Sequence, residues 1–126
     1  MLNAFRVYAV LPASDINRAK EWWEQKVGMS PTTEEMGSLW YECAEGTWMM
    51  ISPSGYAGTA QNTAVSFAVT GFDELVEGLR QRGVVFEEYD LPGMKTVNGV
   101  FEMGGYKVAW FKDSEGNTVE IAQTPS

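Results

Sequence analysis

The sequence contains no histidine and only one cysteine, Cys43. Without histidine, the chain lacks the commonest metal ligand and the commonest general base of proteins. A single cysteine excludes an internal disulfide and zinc sites built from cysteine clusters. Basic residues are also few: 9 Lys and Arg stand against 17 Asp and Glu, and the formal net charge is −8. Because phosphate binding requires a basic surface, we expect no nucleic-acid partner, and the acidic field favours a neutral or cationic ligand.

Long apolar runs are missing as well. The first residues, MLNAFRVYAVLPASD, include a short apolar run without the basic flank and long apolar core of a signal peptide, and the chain lacks the roughly 20-residue apolar stretch of a membrane span. We therefore expect a soluble, cytoplasmic protein with no membrane partner. The 126 residues, 44% of them hydrophobic, fit one domain with its own core. Aromatic side chains are abundant, with five Trp, five Tyr and six Phe, and there are seven Met.

The first half of the chain predicts a strand, a helix and further strands. Residues 5–13 (FRVYAVLPA) are rich in strand formers, and Ser14 or Asp15 caps a helix that runs to about Val27 and ends at Gly28. Residues 38–52 predict a hairpin with AEG at its turn. The small and polar residues 52–62 predict a linker.

The second half repeats this order. Residues 63–71 predict a strand, residues 72–83 a helix that Gly83 ends, and the rest a strand and turn followed by up to three strands. The two helix-ending glycines lie 55 residues apart, which indicates an internal duplication. We predict an α+β fold in a single domain (1–126), with module one at about 1–55 and module two at about 63–126. Their sheets form a curved, half-open barrel with room for a ligand.

Three stretches carry a resemblance to a known family: VLPASDINRAKEWWEQKVGM, VSFAVTGFDELVEGLRQRGV and FKDSEGNTVEI, the last with the spacing D-x-x-G-N-x-x-E. The chain resembles the vicinal oxygen chelate superfamily, which includes glyoxalase I, bleomycin- and fosfomycin-resistance proteins and extradiol dioxygenases. The resemblance implies two tandem βαβββ modules. It also implies a homodimer, and it leaves open whether each cup combines modules from different chains.

In metal-using members of this family, four ligands lie on the inner faces of the sheets. The resemblance carries these positions over to Tyr8, Met50, Ala64 and Glu120. Tyrosine is a weak ligand unless it is deprotonated, and one carboxylate alone cannot fix a transition metal. We therefore expect no metal and no cofactor at this site. A displaced site that includes Glu42 or Glu102 remains an alternative.

The lining of the cup follows from the alternation of side chains along each strand. For residues 38–44, comparison with the glyoxalases favours Leu39, Tyr41 and Cys43 on the inner face and leaves Trp40 outside. The same comparison favours Val108 and Trp110 in residues 107–113, and Met103 stands in or beside a loop that closes the mouth. The predicted ligand-binding residues are Tyr8, Tyr41, Trp48, Met50, Ser66, Met103, Trp110 and Glu120.

Two functions fit this lining. The first is a metal-free binding protein that sequesters a bulky planar aromatic compound, in the manner of the bleomycin-resistance proteins that the chain resembles. The second is a metal-independent lyase, isomerase or cyclase in which Glu120 and Tyr8 form an acid–base pair. Glu120 can also be a carboxylate held only by structural hydrogen bonds. Residues 89–99 predict either an ordinary connection or a lid over the cup.

Overall fold

A computed structural model describes residues 1–125. It contains ten strands and two α-helices, with short 3-10 turns at Leu2–Ala4 and Ala44–Gly46. In chain order, the elements are β1 (Ala9–Ala13), α1 (Ile16–Val27), β2 (Thr33–Glu35), β3 (Ser38–Glu42), β4 (Trp48–Pro53), β5 (Thr63–Ala68), α2 (Phe72–Gln81), β6 (Asp90–Leu91), β7 (Met94–Lys95), β8 (Phe101–Met103), β9 (Tyr106–Lys112) and β10 (Thr118–Gln123).

The two halves of the chain build equivalent sheets. The first sheet has the strand order β1-β4-β3-β2 and the second the order β5-β10-β9-β8. In each sheet the first strand pairs in parallel with the last strand of its module, and the other pairs are antiparallel. Strands β1 and β5 lie against each other, so the sheets meet at these edges. The α+β fold of two βαβββ modules is confirmed, and the sheets of the described residues do not close into a barrel.

Helix α1 has the predicted boundaries. The Asp15 carboxylate accepts a hydrogen bond from the backbone N–H of Arg18, which satisfies one of the free donors of the first turn. At the other end, Gly28 adopts a left-handed conformation with φ of 72°. Glycine meets this requirement without a steric penalty from a Cβ atom, and it therefore ends the helix.

The core lies between the helices and one face of each sheet. Trp23 of α1 is fully buried, and its ring centroid lies 6.3 Å from that of Tyr41 and 6.4 Å from that of Phe67. The other large, fully buried side chains come from β1, β3, β4, α2, β9 and β10: Leu11, Leu39, Tyr41, Ile51, Phe72, Phe111 and Val119. The helices and the core thereby cover one face of each sheet, and the other face is left uncovered.

The turn between β9 and β10 fastens the second module to the first. The Asp113 carboxylate accepts hydrogen bonds from Trp23 Nε1 and from the backbone N–H groups of Glu115 and Asn117. Asn117 Nδ2 donates to Asp113 and to the Pro12 carbonyl at the end of β1. The D-x-x-G-N part of the family motif is therefore structural in this chain.

Glu115 adds an ion pair to the same junction. Its side chain is fully buried, and it accepts hydrogen bonds from the backbone N–H groups of Ser14 and Asp15. Arg18 Nε lies 2.8 Å from Glu115 Oε2. The Arg18 hydrogen bond, together with the Asp15 N–H, lowers the pKa of Glu115 to about 2, against the opposing effect of burial. Glu115 lies within the family motif, and its partners Ser14, Asp15 and Arg18 lie about one hundred residues earlier, so no local sequence pattern predicts this pairing.

Other predicted boundaries differ from the structure. Strand β1 begins at Ala9 and not at Phe5, and residues 5–8 have no strand pairing. The strand predicted after Gly83 is reduced to one bridge between Phe86 and Phe111 and a small hairpin of β6 and β7. Within residues 1–125, no helix has both the length and the apolar character that crossing a membrane requires.

Candidate functional site

The uncovered face of the first sheet carries a cluster of three aromatic rings. The sheet register pairs Trp40 with Met50 and Glu42 with Trp48, so these side chains share one face. Tyr8 extends this face just before β1, and its ring centroid lies 5.0 Å from that of Trp40. The Trp40 and Trp48 ring centroids lie 6.5 Å apart. We call Tyr8, Trp40 and Trp48 the aromatic cluster.

This arrangement corrects the predicted face of β3. Tyr41, which was predicted to line the cup, is 1% exposed and packs against Trp23 in the core beneath α1. Leu39 lies on the same buried face. Trp40, which was predicted to lie outside the cup, is on the open face. The physical reason is the hairpin register: a turn centred on Glu45 pairs residue 40 with residue 50, so Trp40 and Met50 must share a face.

Glu120 is the centre of a second cluster, on the uncovered face of the second sheet. Its Oε1 accepts a hydrogen bond from Trp110 Nε1 at 3.0 Å, and its Oε2 accepts one from the Ser66 hydroxyl. The register places these three side chains side by side on β9, β10 and β5. No ion pair in the described part of the chain includes Glu120. We call Ser66, Trp110 and Glu120 the Glu120 cluster.

One cavity reaches both clusters along the seam of β1 and β5. It has a volume of about 560 Å³, and its lining includes Tyr8, Trp48 and Ser66. A second cavity, of about 350 Å³, lies over the aromatic cluster and is also lined by Arg6 and Glu35. Both volumes lie within the range of about 300–1,000 Å³ that is usual for small-molecule sites. Of the predicted set, the structure therefore brings together Tyr8, Trp48 and Ser66, next to Met50, Trp110 and Glu120.

The remaining predicted residue lies farther out. Met103 is on the outermost strand β8, where it pairs with Tyr106 and is 58% exposed. Tyr89 is closer to the Glu120 cluster, because its ring stands edge-on to Trp110 with centroids 5.5 Å apart. The backbone N–H of Tyr89 donates to Thr96 Oγ1, which anchors the hairpin of β6 and β7 beside the cluster. The segment 89–99 thus contributes one aromatic ring, Tyr89, beside Trp110.

The family metal does not fit the residues at these positions. Tyr8 packs on Trp40, Met50 offers a thioether, Ala64 offers no donor, and both oxygens of Glu120 already accept hydrogen bonds from neutral groups. A transition metal requires three or four N, O or S ligands in a set geometry. In residues 1–125, His, Cys, Asp and Glu side chains do not gather in any group of three or more that suits a metal ion.

A family model confirms what the fold indicates. The model of the Glyoxalase/Bleomycin resistance protein/Dioxygenase superfamily matches residues 6–121, and the chain therefore belongs to this superfamily. No curated protein matches the sequence.

Solved structures share the fold over nearly the whole chain. A glyoxalase/bleomycin resistance protein from Catenulispora acidiphila DSM 44928 is 20% identical with a TM-score of 0.69, and the alignment covers 96% of this chain and 99% of that one. The fosfomycin resistance protein FosX from Listeria monocytogenes is 15% identical with a TM-score of 0.66, over 95% and 93%. The oxidase ChaP-H2 is 18% identical with a TM-score of 0.70, over 96% and 94%. At these identities the likeness shows the fold alone.

Proposed function

We propose that the protein binds a bulky, planar aromatic small molecule on the uncovered sheet faces and releases it unchanged. This is sequestration without a metal, as in bleomycin resistance, and its setting is the cytoplasm. The observation that supports it is that three of the four metal-ligand positions hold Tyr8, Met50 and Ala64. On the faces that the helices leave uncovered, half-buried Trp40, Trp48 and Trp110 add apolar surface. Two of the similar structures are described as resistance proteins.

Apolar burial and aromatic stacking supply the favourable part of the binding free energy of such a complex. Burial of about 300 Å² of flat apolar surface supplies about 7 kcal/mol before the costs of ordering. Each stacked aromatic pair adds about 0.5–1.5 kcal/mol. Together these contributions come to about 8 kcal/mol before the costs of ordering are subtracted, so a Kd near 1 μM is the tightest affinity that they support. Glu120 has unused lone pairs on both oxygens and can accept a hydrogen bond from an OH or NH group of the ligand.

A fluorescence titration with 2-hydroxyanthraquinone tests the proposal. We expect saturable binding to the wild-type protein and about two- to tenfold weaker binding to Trp110→Leu, because one stacking surface is lost. Tyr56→Ala is the matched control, since Tyr56 lies in the linker and is 80% exposed. Its affinity should equal that of the wild type. Equal affinities for all three proteins would place the ligand elsewhere and contradict the proposal.

A metal-free enzyme is the second candidate, because the Glu120 carboxylate is half-buried, has no ion-pair partner within residues 1–125 and lies beside Ser66, which lines the cavity. In that case, Glu120→Gln abolishes conversion of the ligand while binding persists. Sequestration predicts no conversion by either protein. Chromatography of the recovered ligand distinguishes the two, since an isomer keeps its mass but changes its retention.

We propose the homodimer as the binding unit. In the single chain, the uncovered faces and the adjacent N-terminal segment expose large apolar side chains: Phe5 72%, Val7 91% and Val10 52%. A second copy that packs on these residues removes the apolar surface from water and deepens the cup. The dimer can exchange modules between its chains. Sedimentation analysis at micromolar concentration tests the assembly, and a monomer under these conditions contradicts it.

A further inference from the structure

The rings around the cavity over the aromatic cluster are not parallel to one another. The Trp40 ring plane is inclined by 62° to that of Tyr8 and by 71° to that of Trp48. A planar molecule stacks on one of these rings at a time, because the rings do not share a direction. All three rings line the cavity of about 350 Å³, so a rounded group there has access to more than one ring at a time.

The chemistry of the cavity favours a positive charge on that rounded group. The face of an aromatic ring carries the negative part of its quadrupole and attracts ammonium groups. Glu35 lines the same cavity, and Glu42 shares the face of Trp48 in the adjacent strand. The whole chain adds a net charge of −8. The aromatic rings and the carboxylates thus both attract a positively charged group.

One basic residue at the cavity repels a positively charged ligand. Arg6 also lines the cavity, and its Nη2 donates to the carbonyl oxygen of Gly46 at 2.6 Å. This bond holds the guanidinium against the turn that follows β3, and the carbonyl dipole offsets part of its charge. Of the neighbouring acidic residues, Glu34 belongs to the opposite face, where it pairs with Lys20 of α1. The carboxylate that lines the cavity is therefore Glu35.

We propose that the aromatic cluster and Glu35 form a binding site for a quaternary ammonium group of a small-molecule ligand. The site contacts the methyl groups through the three rings and offsets the charge through Glu35. This inference deepens the proposed function and rests on it, since the site takes the charged end of a ligand whose flat part lies on the same sheet faces.

A pair of isosteres provides the test. Choline carries a trimethylammonium group, and 3,3-dimethyl-1-butanol has the same shape without the charge. We titrate both into the wild-type protein and follow the indole N–H resonances of Trp40 and Trp48 by NMR. Choline should bind about threefold or more tightly than the neutral alcohol, because a cation–π contact favours the charged group even at a partly exposed site. Equal affinities, or no shift of either resonance with choline at about 100 mM, would overturn the proposal.

Variants localise the binding. Trp40→Leu should weaken choline binding about fivefold or more, and Glu35→Gln should weaken it about threefold. If Trp40→Leu does not fold, Tyr8→Leu replaces it. Tyr56→Ala again serves as the control and should retain the wild-type affinity. Unchanged choline binding in both Trp40→Leu and Glu35→Gln would place the cation elsewhere and refute the assignment.

The same titrations separate this proposal from the proposed function. If 2-hydroxyanthraquinone binds and choline shows no preference over the neutral alcohol, the cation site fails and sequestration of a planar compound stands. If choline is preferred and the anthraquinone does not bind, planar-ligand sequestration fails and the cation site stands.

Discussion

At the scale of single residues, two tyrosines on opposite faces of the first sheet lie in different environments. Tyr8 is 44% exposed and its ring serves a cavity, whereas Tyr41 is 1% exposed in the core. Among the described residues, the Tyr41 hydroxyl is buried without a hydrogen-bond partner. Burial is also the main reason that the pKa of Tyr41 is raised above its ordinary value.

The free energy of unfolding of Tyr41→Phe tests this environment. Removing a buried hydroxyl that has no partner relieves its desolvation cost, so we expect unchanged stability or a gain of up to about 1 kcal/mol. Urea denaturation of the variant and the wild type measures the difference. Tyr56→Phe, at an exposed position, is the control. A loss of more than about 1 kcal/mol would show that the hydroxyl has a bonded partner, such as an internal water.

A glycine contact makes a second prediction at this scale. Gly116 has a φ of 82°, and a Cβ atom there would lie 2.9 Å from the Cα of Gly58 in the linker. Gly93 has a nearly equal φ of 78° and open space around it. Both alanine variants carry backbone strain of about 1–2 kcal/mol, but Gly116→Ala must also displace the linker backbone and should lose at least about 1 kcal/mol more. Thermal unfolding of the pair checks this, and equal losses would contradict the contact.

At the scale of elements, the turn between β9 and β10 acts as a clamp on the start of α1. Glu115 binds Arg18 and two backbone N–H groups of the helix start, and Asp113 binds Trp23 one turn farther along. The residues of the D-x-x-G-N-x-x-E motif thus have two different roles in this chain. Its first residues hold the modules together, and its last residue, Glu120, faces the candidate site.

This clamp predicts a pH dependence of stability. The pKa of Glu115 is about 2 in the folded protein, below its ordinary value of 4.5. Because the folded pKa is the lower one, the contribution is complete above about pH 4.5 and is lost as the pH falls towards 2. We expect it to be about 1–3 kcal/mol.

Urea denaturation between pH 2 and pH 6 measures this effect. The wild-type protein should lose more stability on acidification than Glu115→Gln, in which the titrating carboxylate is absent. Glu45→Gln, an exposed substitution in the turn between β3 and β4, should follow the wild-type curve. Parallel curves for the wild type and Glu115→Gln would show that the clamp does not titrate in this range.

Elements also show how far the sequence predicts the structure. The helices, the duplication and the hairpin of β3 and β4 have strong local signals: a capping aspartate, terminal glycines and alternation of apolar residues. The prediction of which face of β3 lines the cup was wrong, although pairing across a turn centred on Glu45 would have placed Trp40 opposite Met50. The contacts of Glu115 with Ser14 and Arg18 span about one hundred residues of sequence, and no local pattern encodes them.

At the scale of the whole molecule, each sheet has one face that packs in the core and one face that carries part of the candidate site. The helices cover one face of each sheet and form the core, and the clamp between the modules fixes the sheets edge to edge at β1 and β5. On the other faces, the positions that hold metal ligands in the family hold Tyr8, Met50, Ala64 and Glu120, and tryptophan rings lie beside them. Superfamily membership fixes this scaffold, and the chemistry of the uncovered faces decides what the protein does with it.

The most direct test of sequestration is the fate of the ligand. We incubate the protein with a panel of planar aromatic compounds, record native mass spectra, and recover the bound compound for chromatography. The account predicts a compound on metal-free dimer, released with unchanged mass and unchanged retention. A compound released with a new mass or a new retention would contradict sequestration and show that the protein is an enzyme, and a stoichiometric metal ion would contradict metal-free binding.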